Sequence, residues 1–192
     1  MMRLIVLTAS IRPGRVGPAV AEWFTERARE HGGFEVDPVD LADLGLPFHD
    51  EPEHPMTGRY VHDHSKAWSA RVAAADAFVF VMPEYNYSFS APLKNAIDFL
   101  YHEWAYKPVG FVSYGNTSGG IRAVQMIKQV VTTLSMMPLT SSVIIQHIGS
   151  QLDASGQLLP SEDRDSDAKE LLDELQLTGP AFASVRAAGP TL

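Results

Sequence analysis

Apolar residues along this chain fall into short continuous runs, separated by longer segments in which they recur at helical spacing. The runs Arg3–Thr8 (RLIVLT), Ala77–Met82 (AFVFVM) and Val109–Tyr114 (VGFVSY) are rich in β-branched and aromatic residues. Gly, Pro or Ser bounds them, and they read as strands. Ser142–Ile148 (SVIIQHI) is a more polar fourth. Near-continuous hydrophobicity, rather than alternation, points to burial on both faces of a parallel sheet. Phe34–Leu41 (FEVDPVDL) alternates more and carries Pro38, which cannot donate into a ladder, so it is placed as an edge strand.

Between the runs the period changes to 3.6. In Ala91–Tyr101, the residues Leu93, Ala96, Ile97, Leu100 and Tyr101 share one helix face, with Ser90 as the expected cap and Pro92 in the first turn. Gly119–Leu134 repeats the pattern through Ile121, Val124, Ile127, Val131 and Leu134. Gly17–Glu30 opens with Pro18 and would bury Val20, Ala21, Phe24 and Ala28. Arg59–Ala75 reads as a further helix, and Asp167–Leu177 as a last one extending toward Val185. Strand alternating with helix predicts an α/β fold: a three-layer, doubly wound sandwich around a five-stranded parallel sheet. Right-handed crossovers leave few topologies, and the expected strand order is 2-1-3-4-5. Residues 1–192 are expected to form one domain, with Pro47–Gly58 and Asp153–Asp167 as polar surface excursions.

Composition narrows the function. A formal net charge of -8 argues against a nucleic-acid surface, where phosphates demand clustered Lys and Arg, but leaves room for a locally positive anion site. Without cysteine there is no disulfide framework, thiolate metal site or thiol nucleophile. No apolar run approaches the roughly 18 residues of a membrane-spanning helix. The apolar part of MMRLIVLTASIR is too short for a secretory core, so no membrane association and a cytoplasmic location are expected.

In an open α/β sheet, ligands bind beyond the carboxyl ends of the strands where the order reverses, here between strands 1 and 3. The loop Ala9–Pro18 supplies a hydroxyl, two arginines and two glycines before a helix N-terminus. It matches neither the nucleoside-triphosphate loop nor the dinucleotide fingerprint. A single phosphate monoester suits it, with Ser10 donating, Arg12 forking onto two oxygens and amides near Val16 and Gly17 completing the cradle; a plain strand–helix turn with solvated arginines is the alternative. The second loop, Pro83–Pro92, offers three aromatics beside an Asn and two Ser, as a heteroaromatic ring requires, although these rings also suit packing under the loop or against a second subunit. The third, Ser113–Gly120, has three glycines that permit close backbone approach, a feature also common in turns without ligands. The histidines of His49–His64 and the His102-Glu103 pair lack metal-ligand spacing, and no metal is expected.

Four motifs together resemble the NAD(P)H-dependent FMN reductase family, which includes quinone, azo-dye and chromate reductases. They are S-x-R-x-x-R-x-G (Ser10–Gly17), P-E-Y-N (Pro83–Asn86), P-L-K-N-A-I-D (Pro92–Asp98) and S-Y-G-x-x-x-G-G (Ser113–Gly120), within a match spanning about Arg3–Ile148. The resemblance implies a flavodoxin-like fold, FMN as cofactor and NADPH or NADH as co-substrate. By it, Ser10, Arg12, Val16 and Gly17 hold the FMN phosphate; Pro83, Glu84, Tyr85 and Asn86 line the isoalloxazine; Ser113, Gly115 and Gly119 approach the pyrimidine edge or ribityl chain. Arg15 is left between the flavin phosphate and the nicotinamide cofactor. No catalytic side chain is implied, because hydride passes through the flavin to a quinone, flavin, azo or similar small acceptor by a ping-pong scheme. A homodimer or homotetramer is implied as well, with Phe89, Tyr101, Trp104 and Tyr106 as candidate interface or core aromatics. Two departures from the family pattern, Tyr87 after P-E-Y-N and Ala91-Pro92 before L-K-N, put bulk near the flavin's access. A flavodoxin-like electron carrier, against which Arg12 weighs, and a regulatory flavin-binding protein are the rival readings.

Overall fold

The computed structural model describes residues 1–189; the last three residues of the expected domain lie outside that range. Five parallel strands, β1 (Met2–Thr8), β2 (Phe34–Asp40), β3 (Ala77–Pro83), β4 (Pro108–Tyr114) and β5 (Met137–Ile145), form one sheet of order β2-β1-β3-β4-β5. The helices are α1 (Gly17–His31), α2 (Leu41–Leu44), α3 (Asp63–Ala73), α4 (Ala91–Asp98), α5 (Ile121–Thr133) and α6 (Glu162–Ala187). Every residue of β3 and β4 is buried, as their continuous hydrophobicity requires.

Alternate residues of the central strands serve two cores. Ile5, Leu7, Phe78, Phe80 and Phe111 pack under α3, α4 and α5, with Trp68, Leu93, Ile97 and Ile127. Leu4, Val6, Val79, Val81 and Val112 pack under α1 and α6, with Phe24, Leu171 and Leu175. Gly110 belongs to the second face: a Cβ there would stand 2.6 Å from the Leu171 side chain, so the strand can lie this close to α6 only as glycine.

The boundaries differ from expectation where tertiary contacts end an element. β5 runs Met137–Ile145 instead of Ser142–Ile148, because as an edge strand it buries only Leu139, Val143 and Ile145 while Thr140 and Ile144 face out. Such half-burial alternates and hides the strand's start from a search for continuous runs. α4 stops at Asp98, short of Tyr101. The indole nitrogens of Trp68 and Trp104 donate to the Ala96 and Ile97 carbonyls at 2.9 and 3.1 Å, satisfying the helix's last acceptors. Trp104 is fully buried, which assigns it to the core and removes it from the candidate interface. α6 begins five residues early, where Ser161 caps the amide of Arg164 at 3.3 Å and Glu162, Asp163 and Asp165 occupy the first turn. Acidic residues there favour the helix dipole, although in sequence they resemble a polar loop.

α3 starts at Asp63, not Arg59, because Val61 and His62 donate their amides to the Glu51 carboxylate at 2.8 and 3.0 Å. The segment before it also ties onto α4, with Asn95 donating to the Pro47 carbonyl at 2.7 Å and accepting from the His49 amide at 2.9 Å. Lost hydration works against the Glu51 charge, but the two amides it accepts outweigh it and hold the carboxyl at about 2. A depressed carboxyl contributes stability that is present above its ordinary value of 4.5 and fades as pH falls through about 2. Protection factors of the Val61 and His62 amides against hydrogen exchange should fall across that window before those of β3 do. Unchanged protection to its lower end would refute the anchor.

Candidate functional site

α1 and α4 leave their strands on opposite faces of the sheet, so the loops after β1 and β3 diverge and open a cleft at the strand-order reversal. The first loop ends at an uncapped helix. Val16 stands at the N-cap with no side-chain bond, and the amides of Val16 and Gly17 meet no acceptor among the described residues. Such free amides at the positive end of a helix constitute an anion cradle. Ser10 is fully buried at its base, with its hydroxyl 2.8 Å from that of Tyr85. Arg12 is exposed and makes no ion pair among the described residues. Arg15 is otherwise engaged: its guanidinium bonds the Ser10 carbonyl and the Asp40 carboxylate, pinning the loop to the end of β2.

The second loop makes a tight reversal. Tyr85 and Ser88 exchange both backbone hydrogen bonds, at 2.8 and 2.9 Å, around Asn86 and Tyr87 with φ of 49° and 71°. A type I′ turn demands two positive φ values, which Asn tolerates and Tyr ordinarily does not. Tyr87 thus holds backbone strain, and neighbouring contacts hold it in place. The Arg122 guanidinium lies 4.1 Å from the Tyr87 ring centre and pairs with Glu84 at 3.2 Å. Glu84 also accepts the Arg122 amide at 3.2 Å, so one carboxylate joins the β3 loop to the start of α5. Lost hydration disfavours its charge, but bonds from Ser118 and Arg122 prevail and keep the carboxyl below its usual range. Pro83 is buried at the strand end, while Tyr85 and Asn86 are exposed. Ser90 does not cap α4 as expected. Its hydroxyl donates to the Ala9 carbonyl at 2.8 Å and ties the first loop to the second.

In the third loop, Ser113 is buried and donates to the Gly119 carbonyl at 2.9 Å. Gly119 is buried against β5, with φ of 62°. Both shape the loop from below. Of these three, Gly115 borders a cleft of about 460 Å³ that it shares with Asn116, His147 and Ile148. A second cleft of about 460 Å³, largely apolar, lies on the other side of the first loop between Ile11, Leu41, Leu46, Phe48 and Pro92. Asp40, Arg122 and His147, which hold or line these loops, carry no motif or periodic signal in the sequence.

An uncapped helix N-terminus with a free arginine at the switch point, beside an aromatic loop, defines a flavodoxin-like protein with a site for a phosphate-bearing planar cofactor. Comparison with known proteins makes this specific. The family model described as NADPH-dependent FMN reductase matches residues 2–150, and the chain belongs to that family. It is an oxidoreductase of the FMN-dependent NAD(P)H class. An NAD(P)H-dependent FMN reductase of Schizosaccharomyces pombe is 43% identical over 136 residues, 70% of this chain and 68% of the relative. A probable NADPH:quinone oxidoreductase of rice is 31% identical over 193 residues, 95% of this chain and 89% of the relative. Among solved structures, the NAD(P)H:acceptor oxidoreductase FerB of Paracoccus denitrificans superposes with a TM-score of 0.75 at 19% identity, covering 95% of this chain and 99% of that one, which shows the shared fold.

Two glycines separate backbone strain from steric collision. Gly14 has φ of 70° and open space where a methyl group would stand, whereas a Cβ at Gly119 would lie 2.5 Å from Ile144 Cγ2. Gly14→Ala should cost only the left-handed penalty, about 1–2 kcal/mol. Gly119→Ala should cost roughly 2–4 kcal/mol, since overpacking is added to that penalty. Chemical denaturation of both variants checks the order; equal losses would refute the packing role assigned to Gly119.

Proposed function

We propose that the protein oxidises NADPH or NADH and reduces a small organic acceptor, such as a quinone, an azo compound or a free flavin, at one FMN site in two alternating half-reactions. Bound FMN would supply the hydride chemistry; the protein's part is binding, orientation and electrostatics. The observation that carries this reading is the uncapped N-terminus of α1 at the strand-order reversal, with Ser10, Arg12 and the Val16 and Gly17 amides around it. These groups would hold the phosphate. Arg12 has the free fork for it, since Arg15 is spent on Asp40.

Pro83, Glu84, Tyr85 and Asn86 would form one wall of the ring site. Glu84 acts through its grip on α5 and not by contact of its charge with the ring. Gly115 would admit the ring edge, with Ser113 and Gly119 holding its loop in shape. No side chain is assigned proton transfer. Tyr87 and Arg122 narrow the mouth and would restrict bulky acceptors. The whole chain would act as a single FMN-binding domain in the cytoplasm; among the described residues no helix is long and apolar enough to cross a membrane. A homodimer or homotetramer is part of the proposal, supported by Phe48, 86% exposed, and Ile11 beside the apolar cleft.

Titration of the purified protein with FMN, followed by anaerobic addition of NADH or NADPH, tests this directly. Prompt bleaching of the visible flavin bands is expected and ranks the two donors. Flavin that binds without bleaching would favour the electron-carrier or regulatory alternative. Arg12→Ala should weaken FMN binding about 10- to 100-fold, the worth of a charge-assisted hydrogen bond, with the fold unaffected. Unchanged affinity would return Arg12 to an ordinary surface residue.

A further inference from the structure

His147 stands just past the carboxyl end of β5, beside the third loop, with φ of 48° and ψ of 48°. A residue with a Cβ takes that left-handed conformation only where its surroundings hold it. Here they do. The His147 amide donates to the Asn116 carbonyl at 2.9 Å, the Ile148 amide to the Gly115 carbonyl at 3.0 Å, and the Ser150 hydroxyl to the His147 carbonyl at 2.9 Å. The ring is fixed as well, with Nδ1 2.8 Å from the Asn116 side-chain oxygen. That oxygen can only accept, so Nδ1 carries the hydrogen. Nε2 has no partner among the described residues and is the nitrogen that gains and loses a proton. The side chain borders the cleft of about 460 Å³ that begins at Gly115, and it is the only titratable group among the residues that line it.

We propose that His147 donates a proton from Nε2 to a quinone acceptor seated in this cleft, with Asn116 as the residue that positions the ring. This inference rests on the reading that FMN lies with its ring edge at Gly115, and it concerns the acceptor and not the flavin. A quinone that takes up a hydride carries negative charge on oxygen until a proton reaches it. Around the ring site Glu84 stays ionised and Arg122 does not release its proton, so neither can supply one. An imidazolium is the side-chain acid suited to the task near neutral pH. Hydride from reduced FMN brings one hydrogen with both electrons and His147 brings the other, which completes the hydroquinone. The neutral imidazole then recovers a proton from water, since the residue is exposed. A cleft of this size admits a small aromatic ring, and its few polar groups leave the histidine to orient the acceptor oxygen.

The test loads the protein with FMN, reduces it with NADH or NADPH, and follows reoxidation of wild type and His147→Asn by two acceptors. One is benzoquinone; the other is ferricyanide, which takes electrons without a proton. Asn tolerates the left-handed backbone, so the variant keeps the loop. His147→Asn should slow reoxidation by benzoquinone about 100-fold and leave reoxidation by ferricyanide unchanged. The wild-type benzoquinone rate should fall as pH rises from about 5 to 8, where an imidazole loses its charge, and the variant should lack that slope. Nitrogen NMR of the protein before loading should show the His147 ring protonated at Nδ1 alone at high pH and at both nitrogens at low pH. An unchanged benzoquinone rate, equal slowing with both acceptors, a pH slope that survives in the variant, or a neutral ring protonated at Nε2 would each overturn the assignment. Wild-type protein that binds no FMN, or binds it without being reduced by either nicotinamide, would sink the FMN reading and this inference with it, before any acceptor is added.

Discussion

Burial of β1 and β3 on both faces is the constraint from which the rest of the structure follows. Side by side and parallel, these strands send their odd and even residues into separate cores, and each core demands its own helices. α1 must turn one way and α4 the other. The loops that begin them cannot fill the space they leave, so a cleft opens beside the uncapped N-terminus of α1. The cleft is thus a by-product of core packing before any residue in the loops is chosen for it.

Residues in the loops then divide the work of holding the cleft in shape. Arg15 with Asp40 fastens the first loop to β2, Ser90 fastens it to the second through the Ala9 carbonyl, and Glu84 fastens the second to α5. Each of these ties uses a polar group that sequence alone would offer to a ligand. With those groups engaged, Arg12, the free amides and the exposed faces of Tyr85 and Asn86 are what the site has left to present. The strained turn at Asn86-Tyr87 fits this division, because the Arg122 stack and the Glu84 pair supply the support that a positive φ at Tyr87 requires.

Membership of the NADPH-dependent FMN reductase family was legible in four motifs, because they lie in loops whose spacing along the chain is fixed by the strands between them. Their division of labour was not. Ser113 and Gly119 look in sequence like ligand contacts, yet the structure turns both inward, one bonding the other's carbonyl. Ser90 looks like a helix cap and is instead a link between loops. Tyr114 reads as the last apolar residue of a strand, and only the approach of Gly17 shows how closely its oxygen comes to the start of α1.

The sequence by itself determined the α/β class, the parallel sheet of order 2-1-3-4-5 and membership of the FMN reductase family. Hydrophobic periodicity is a local property, and right-handed crossovers leave little freedom once the elements are known. Tertiary structure alone decided where α3, α4 and β5 begin or end, since those limits rest on Glu51, Trp68, Trp104 and the one-sided burial of an edge strand. It alone decided which polar groups of the loops are engaged and which are free. A hydrogen bond between residues far apart in the chain leaves no periodic trace in either segment, so its partners are visible only once the sheet has brought them together.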